Sequence, residues 1–245
     1  MKDVTEQEGY YFLRDMHHTV AKRIKAKIIS HHKKQKLQRV LPFLTWIPTI
    51  CLIGISGSVA VSNAEDTDDI DLFIITKRNT IWLTRLWLMF ILQMLGIRRI
   101  RSDVSAKDKV CLNMFVDEDN LHISPEKQDL YVAHEVVQLV PVYSKHDTYN
   151  RFLSENTWVC TYLPHSFKNI GAKPRQESVI KQMIIQVFTL YGIAEKIAKI
   201  VQLAYMHRRK TTETVTDYFL AFHPRDNRKK ILQRYEALLR IYDIV

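Results

Sequence analysis

The sequence predicts an α+β protein, with a small mixed β-sheet flanked by helices in its first half and a helical C-terminal half. Three observations predict it. Short runs rich in β-branched and aromatic residues occur at 50–55, 69–76 and 109–116. A helical stripe of apolar residues at 80–95 separates the second run from the third, and a longer stripe fills 176–207. Hydrophobic residues make up 47% of the 245 residues while Gly and Pro number only 6 and 7, which excludes a disordered chain and one with long Gly/Pro-rich linkers.

Taken in order, residues 10–39 read as helical. The stretch Ala21 to Arg39 is dense in Lys and Arg, with Ile24, Ile28 and Ile29 as its apolar stripe. The expectation is a surface helix whose cations face water; a phosphate backbone or a membrane surface is the functional alternative. Within the same segment, His17-His18 and His31-His32 are adjacent pairs that a helix points to different sides, which makes neither a metal chelate. Ile50 to Ile55 reads as a buried strand running into the tight turn Gly54-Ile55-Ser56-Gly57-Ser58, with a short helix starting at Ser58. After the acidic turn 63–68, residues 69–76 form a second strand, and alternation puts Asp69 and Asp71 on one face.

Thr80 to Leu95 reads as a buried core helix, capped by Asn79 or Thr80 and ended by Gly96. Arg85 and Gln93 interrupt its apolar character, and it falls short of the ~20 residues a membrane span needs, so integral membrane insertion is not expected. Lys109 to Val116 is the third strand. Near Ser124 the pattern changes, which divides the chain into 1–123, the basic helix plus the sheet core, and 124–245, a helical region. Helix starts fall at Ser124-Pro125-Glu126 and Asp147, a long helix runs from Gln176 to His207, a loop covers Pro164 to Arg175, and a last helix spans Asn227 to Tyr242.

Lys and Arg number 36 against 26 Asp and Glu, a formal charge of +10 that favours anionic partners such as nucleotides, nucleic acid or acidic lipid. Cys51, Cys111 and Cys160 sit apart in apolar runs and read as buried free thiols, with no CxxC or Cys/His cluster to suggest structural zinc. The first residues lack the apolar region of a signal peptide, so a cytoplasmic protein is the expectation. Other tempting residues stay unremarkable. His134-Glu135 lacks the second His of a zinc-protease helix, Tyr218, Phe219 and Phe222 read as packing, and nothing places Arg225 or Lys229-Lys230 near the carboxylates.

The chemistry lies in one ordered combination: a strand, Gly57-Ser58, a short helix, a turn, then Asp69-x-Asp71 opening a second strand. A Gly-Ser turn lets backbone amides approach a phosphate closely, the helix N-terminus favours negative charge, and the Ser58 hydroxyl adds a hydrogen bond. Two carboxylates alternating on a strand aim their oxygens to one side, where they can share hard divalent cations that take further ligands from triphosphate oxygens. That arrangement suits phosphoryl or nucleotidyl transfer.

With Gly54-Ile55-Ser56-Gly57-Ser58-Val59-Ala60 and Asp68-Asp69-Ile70-Asp71-Leu72, the sequence resembles the nucleotidyltransferase superfamily that includes DNA polymerase β, the minimal nucleotidyltransferases and the antibiotic nucleotidyltransferases. The resemblance spans residues 50–117. It implies a small mixed sheet flanked by helices, catalytic and metal-binding roles for Asp69 and Asp71, nucleotide binding by Gly57 and Ser58, and Mg²⁺ or Mn²⁺ as cofactor. Family members supply a third carboxylate from a neighbouring strand; here Asn113 falls mid-strand, with Asp117 or Asp119 as alternatives in another register. An amide ligates a metal without charge and takes no proton from an incoming hydroxyl.

The function implied is transfer of a nucleoside monophosphate from a nucleoside triphosphate to an acceptor hydroxyl or phosphate that the sequence does not identify; the basic helix offers RNA or a phosphorylated small molecule as candidates. Asn113 favours the alternative, a catalytically inactive nucleotide- or nucleic-acid-binding module of the same fold. Segment 21–39 has no aromatic residue for base stacking, which counts against single-strand binding. A third alternative, a peripheral membrane protein, would use the basic helix and the hydrophobic stretch Ile81 to Ile97.

Overall fold

Residues 4–100, 103, 105–166, 188–207, 214–222 and 228–242 are described in a computed structural model. The chain opens with a hairpin, β1 (Val4–Gln7) and β2 (Tyr10–Leu13), where a helix is expected from residue 10. The cause is local: Glu8 and Gly9, with φ of 53° and 78°, form a two-residue turn whose twist matches antiparallel strands. Helix α1 (His18–Leu44) follows, then β3 (Ile50–Ile55), the one-turn α2 (Gly57–Ala60), β4 (Ile70–Thr76), α3 (Ile81–Met94) and β5 (Val110–Asp117). The strand, turn, strand, helix, strand order expected from 50 to 117 is therefore present.

The C-terminal half is largely helical, as expected, and adds three short strands that periodicity does not reveal. A 3₁₀ turn at Pro125–Lys127 leads to α4 (Leu130–Gln138), β6 (Val140–Ser144), α5 (Thr148–Glu155) and α6 (Val159–Tyr162). Beyond these lie α7 (Phe188–His207), β7 (Thr214–Val215), β8 (Phe219–Ala221) and α8 (Arg228–Ile241). The expected helix from Gln176 is described only from Phe188. Its residues 176–187, the expected loop from 167 to 175, and residues 223–227, which include Arg225 and the expected start of the last helix, lie outside the described residues.

Six strands make one mixed sheet in the order β6-β3-β4-β5-β8-β7. The central pair β4 and β5 is parallel, joined by the α3 crossover, and the other neighbours are antiparallel. Both faces are covered, so the central strands read as near-continuous apolar runs. On one face Ile70, Leu72 and Ile74 pack with Leu37 and Leu44 of α1 and Trp82 and Leu88 of α3. On the other, Phe73 and Ile75 pack with Ala133 and Val136 of α4 and Phe152 of α5. Since side chains alternate along β4, this second face is the one on which Asp69 and Asp71 emerge.

Helix α3 departs from the expected core helix. It buries Ile81, Trp82, Leu88 and Leu92 against the sheet but leaves Trp87, Phe90 and Met94 exposed, because a helix lying on one sheet face buries one stripe only. Its cap also differs. Thr80 bonds Lys77 C=O, and the orphan amides of Trp82 and Leu83 are taken by Glu195 of α7 at 2.9 and 2.7 Å. Among the described residues no helix is long and apolar enough to cross a membrane.

The basic helix α1 is not simply a solvated face. Its buried stripe runs through Val20, Ala26, Ser30, Lys33 and Leu37, while Ile28 points outward, so the expected Ile24, Ile28, Ile29 stripe is rotated from the true one. Lys33 is 1% exposed. Its ammonium donates to Asp66 C=O at 3.1 Å and Asp68 C=O at 2.7 Å and pairs with Asp108. Arg23 reaches the carbonyls of Val61 and Ser62, and Lys34 that of Ala60. Several α1 cations thus point inward and bind the turn that leads into β4. The substitution Lys33→Met removes the donor shared by the carbonyls of Asp66 and Asp68 and the partner of Asp108, and is expected to lower stability by about 2–3 kcal/mol, read as a shift in urea midpoint at unchanged slope.

Candidate functional site

Gly57 stands where β3 gives way to α2, with φ of 64°, a conformation that only glycine adopts without strain. A second demand is steric. A Cβ on Gly57 would lie 2.8 Å from Asp71 Oδ2, so the carboxylate occupies space that any other residue would fill. The preceding amide, Ser56 N–H, donates to Asp71 C=O at 3.0 Å and ties the turn to the second carboxylate's own backbone. Ser58 behaves differently from expectation: its hydroxyl donates to Asp68 Oδ2 at 2.8 Å, and Glu65 N–H reaches the same oxygen at 2.9 Å. The Ser58 side chain is a brace of the acidic turn, and what it and Gly57 leave open are the first-turn amides of α2, which a helix does not pair.

Asp69 and Asp71 come together as their spacing predicts. Their oxygens and the Cys111 sulfur lie within 4.8 Å of one another, a group of a size to hold a metal ion. Burial, then the neighbouring Asp69 charge, pushes the Asp71 carboxyl up to about 7. Asp69, 12% exposed at its side chain, is ion-paired with Arg99, which precedes β5. Arg99 escaped sequence reasoning because thirty residues separate the partners, and they meet only through the β4–β5 pairing and the bridge that lays Arg98 and Arg99 against Val110.

Cys111 is the larger surprise. In the β4–β5 register Asp71 lies opposite Cys111, so the neighbouring-strand position where Asn113, Asp117 or Asp119 was expected holds a thiol. Cys111 also hydrogen-bonds Asp71, and burial, followed by the charges of Asp71 and Asp69, pushes its thiol well above the usual range. Asn113 is displaced by a bulge: Leu72 pairs with Leu112 and Phe73 with Met114, leaving Asn113 as the extra residue. Asp117 pairs with Thr76 at the far end of β4, roughly 17 Å along the strand from Asp71. There it accepts from Asn79 N–H and Asp119 N–H, while Asp119 pairs with Arg78. Neither belongs to the carboxylate site.

Protein-family models, curated proteins and solved structures give no match to this chain. The site is therefore read from its own geometry.

The donor set decides what it could hold. Two carboxylates aimed to one side, beside a glycine turn with open amides, fit a divalent cation that keeps waters or phosphate oxygens as its other ligands. A neutral thiol does not ligate a hard cation such as Mg²⁺, so Asp69 and Asp71 would carry it alone, with Arg99 displaced from Asp69. Glu135 on α4 is the residue that sequence reasoning passed over. Its charge reaches Asp71, and burial, opposed by a hydrogen bond from Tyr131, pushes its carboxyl up.

Two predictions follow from the electrostatics. A carboxyl near 7 in the fold and near 3.9 in the unfolded chain holds its proton longer when folded, so the wild type loses stability as pH rises from about 4 to about 7. In EDTA, Asp71→Asn is expected to match the wild type at pH 4 and exceed it at pH 8 by on the order of 4 kcal/mol, at about 1.4 kcal/mol per pH unit; a pH-independent difference contradicts the assignment. Cys111→Asp restores a third carboxylate and is expected to tighten Mg²⁺ binding tenfold or more by calorimetry, while lowering stability in EDTA.

Proposed function

We propose that this chain is a metal-dependent nucleotidyltransferase that moves a nucleoside monophosphate from a nucleoside triphosphate to an acceptor hydroxyl or phosphate, with Mg²⁺ or Mn²⁺ as its cation. The observation that carries the reading is the interlock of Gly57 and Asp71. The missing Cβ of the glycine turn is the space taken by Asp71 Oδ2, so the phosphate-approach turn and the carboxylate pair are parts of one site. The resemblance of Gly57-Ser58 and Asp69-x-Asp71 to the nucleotidyltransferase superfamily supports the same reading. A cytoplasmic setting, with free nucleotides and reduced thiols, belongs to it, and the three cysteines are all free.

In this reading the amides of Gly57 and Ser58 receive phosphate oxygens at a turn held rigid by Asp68 and Lys33. Asp69 and Asp71 would hold the cation, and a bound cation would supply charge stabilisation at the α-phosphate and the departing pyrophosphate. Arg99, released from Asp69, turns its guanidinium to phosphate oxygens of the bound nucleotide. Asp71 gives up its proton as the site is occupied, which removes the repulsion that holds its carboxyl up.

The test is calorimetry with each nucleoside triphosphate and Mg²⁺ or Mn²⁺. Binding that depends on the metal and disappears in Asp69→Asn/Asp71→Asn is expected, and absence of binding by the wild type with either metal contradicts the proposal. Cys111 in the third position favours a second reading, a nucleotide binder without turnover. Pyrophosphate release separates the two: nucleotide binding without release across hydroxyl and phosphate acceptors supports the silent binder.

A further inference from the structure

On the carboxylate face of the sheet lies a cavity of about 280 Å³ that the nucleotide reading leaves unused. Phe73, Leu139, Phe152 and Phe219 give it apolar walls. Ser56, Asn113 and Glu135 interrupt them. Ser56 Oγ is buried and has no hydrogen-bond partner among the described residues. Asn113, 8% exposed, uses its backbone carbonyl to accept from Phe222 N–H, but its side-chain amide bonds no described residue. Glu135 is drawn into the wall with a hydrogen bond from Tyr131. A buried hydroxyl such as that of Ser56, left without a partner among the described residues, requires an explanation, and an apolar cavity with a few convergent polar groups has the makeup of a small-molecule site.

The cavity and the carboxylate pair share a wall. Ser56 lines the one and bonds Asp71 C=O in the other, and Phe73 follows Asp71 on the same face of β4. Asn113, the extra residue of the bulge, lines this cavity rather than the carboxylate site. The cations at the rim are engaged. Lys127 lies 4.5 Å above the Phe219 ring and Arg228 pairs with Asp129, so the lining does not recognise its occupant by positive charge.

We propose that this cavity is the acceptor site, taking a small molecule with an apolar body that carries a hydroxyl, oriented by Asn113 and deprotonated by Glu135. The assignment rests on the transferase reading and deepens it. At about 30 Å³ per water-sized unit the volume admits roughly ten non-hydrogen atoms, which favours a compact alcohol over RNA or a phosphorylated acceptor. In the transfer, the acceptor oxygen forms a bond to the α-phosphorus, the bond from that phosphorus to the bridging oxygen breaks, its electron pair leaves with pyrophosphate, and the hydroxyl proton passes to Glu135. A proton acceptor is thereby supplied where the neighbouring strand offers only Cys111.

The experiment measures pyrophosphate release from ATP and Mn²⁺ with 2-phenylethanol as the acceptor probe and glycerol as the hydrophilic control, alongside calorimetry of Mn²⁺-ATP binding. 2-Phenylethanol is expected to stimulate release and glycerol is not. Glu135→Gln is expected to lower the stimulated rate about 100-fold with ATP affinity within twofold of wild type. Asn113→Leu is expected to raise the KM for the alcohol at least tenfold. Thr214→Trp, placed at the exposed rim, provides a variant that does not disturb the interior and is expected to abolish stimulation while ATP still binds. Intact ATP binding with no response to 2-phenylethanol, with equal response to glycerol, or with a wild-type rate in Glu135→Gln overturns the acceptor assignment and leaves the transferase reading in place. Failure of the wild type to bind Mn²⁺-ATP removes both.

Discussion

Two carboxylates held side by side in a largely buried place are unfavourable to a folded chain, and much of this structure answers to that constraint. Asp71 gains room only because Gly57 has no side chain, and Asp69 is tolerated beside it because Arg99 neutralises one of the two charges. The thiol of Cys111 lies beside the same oxygens and adds a hydrogen bond to Asp71 without a third charge. Such strain persists when the surrounding fold over-determines it, and here the surrounding fold does. The acidic turn 63–68 is braced from within by Ser58 on Asp68 and from outside by Lys33 on the carbonyls of Asp66 and Asp68.

The division of the sheet into two faces turns that local arrangement into a site. Helices α1, α3 and α7 cover one face with an apolar core, while α4, α5 and α6 pack on the other. On this second face the first residues of β4 carry acids and the later ones carry Phe73 and Ile75, so a polar end grades into an apolar cavity along a single strand. The charge of Glu135, brought in on α4, reaches Asp71 from the opposite wall. Net charge follows the same logic. Part of the positive excess that suggests an anionic partner is consumed inside the molecule, where Arg23, Lys33 and Lys34 hold backbone carbonyls.

What was legible in the sequence was what local pattern encodes. Gly57 and the pair Asp69 and Asp71 lie in short segments whose residue types report their own backbone shape, and the apolar runs at 50–55, 69–76 and 109–116 report burial on both sheet faces. What was not legible depends on pairing between distant segments. That Cys111 rather than Asn113 lies opposite Asp71 follows from a one-residue bulge, and nothing in Lys-Val-Cys-Leu-Asn-Met-Phe-Val announces it. The cap of α3 by Glu195 and the pairing of β8 with β5 depend on residues about a hundred positions away. The opening hairpin left a trace in Gly9, a turn residue just ahead of the aromatic run Tyr10-Tyr11-Phe12, but the basic helix that follows dominates the local pattern.

The central claim is that Asp69 and Asp71 form one cation and triphosphate site with the Gly57 turn. A crystal structure with Mn²⁺ and a non-hydrolysable α,β-methylene ATP, read by anomalous scattering, tests it most directly. The account predicts a manganese peak bridging Asp69 and Asp71, phosphate oxygens on the amides of Gly57 and Ser58, and Arg99 moved from Asp69 to the nucleotide. A nucleotide bound elsewhere, with Arg99 still paired to Asp69 and no manganese between the carboxylates, would contradict it.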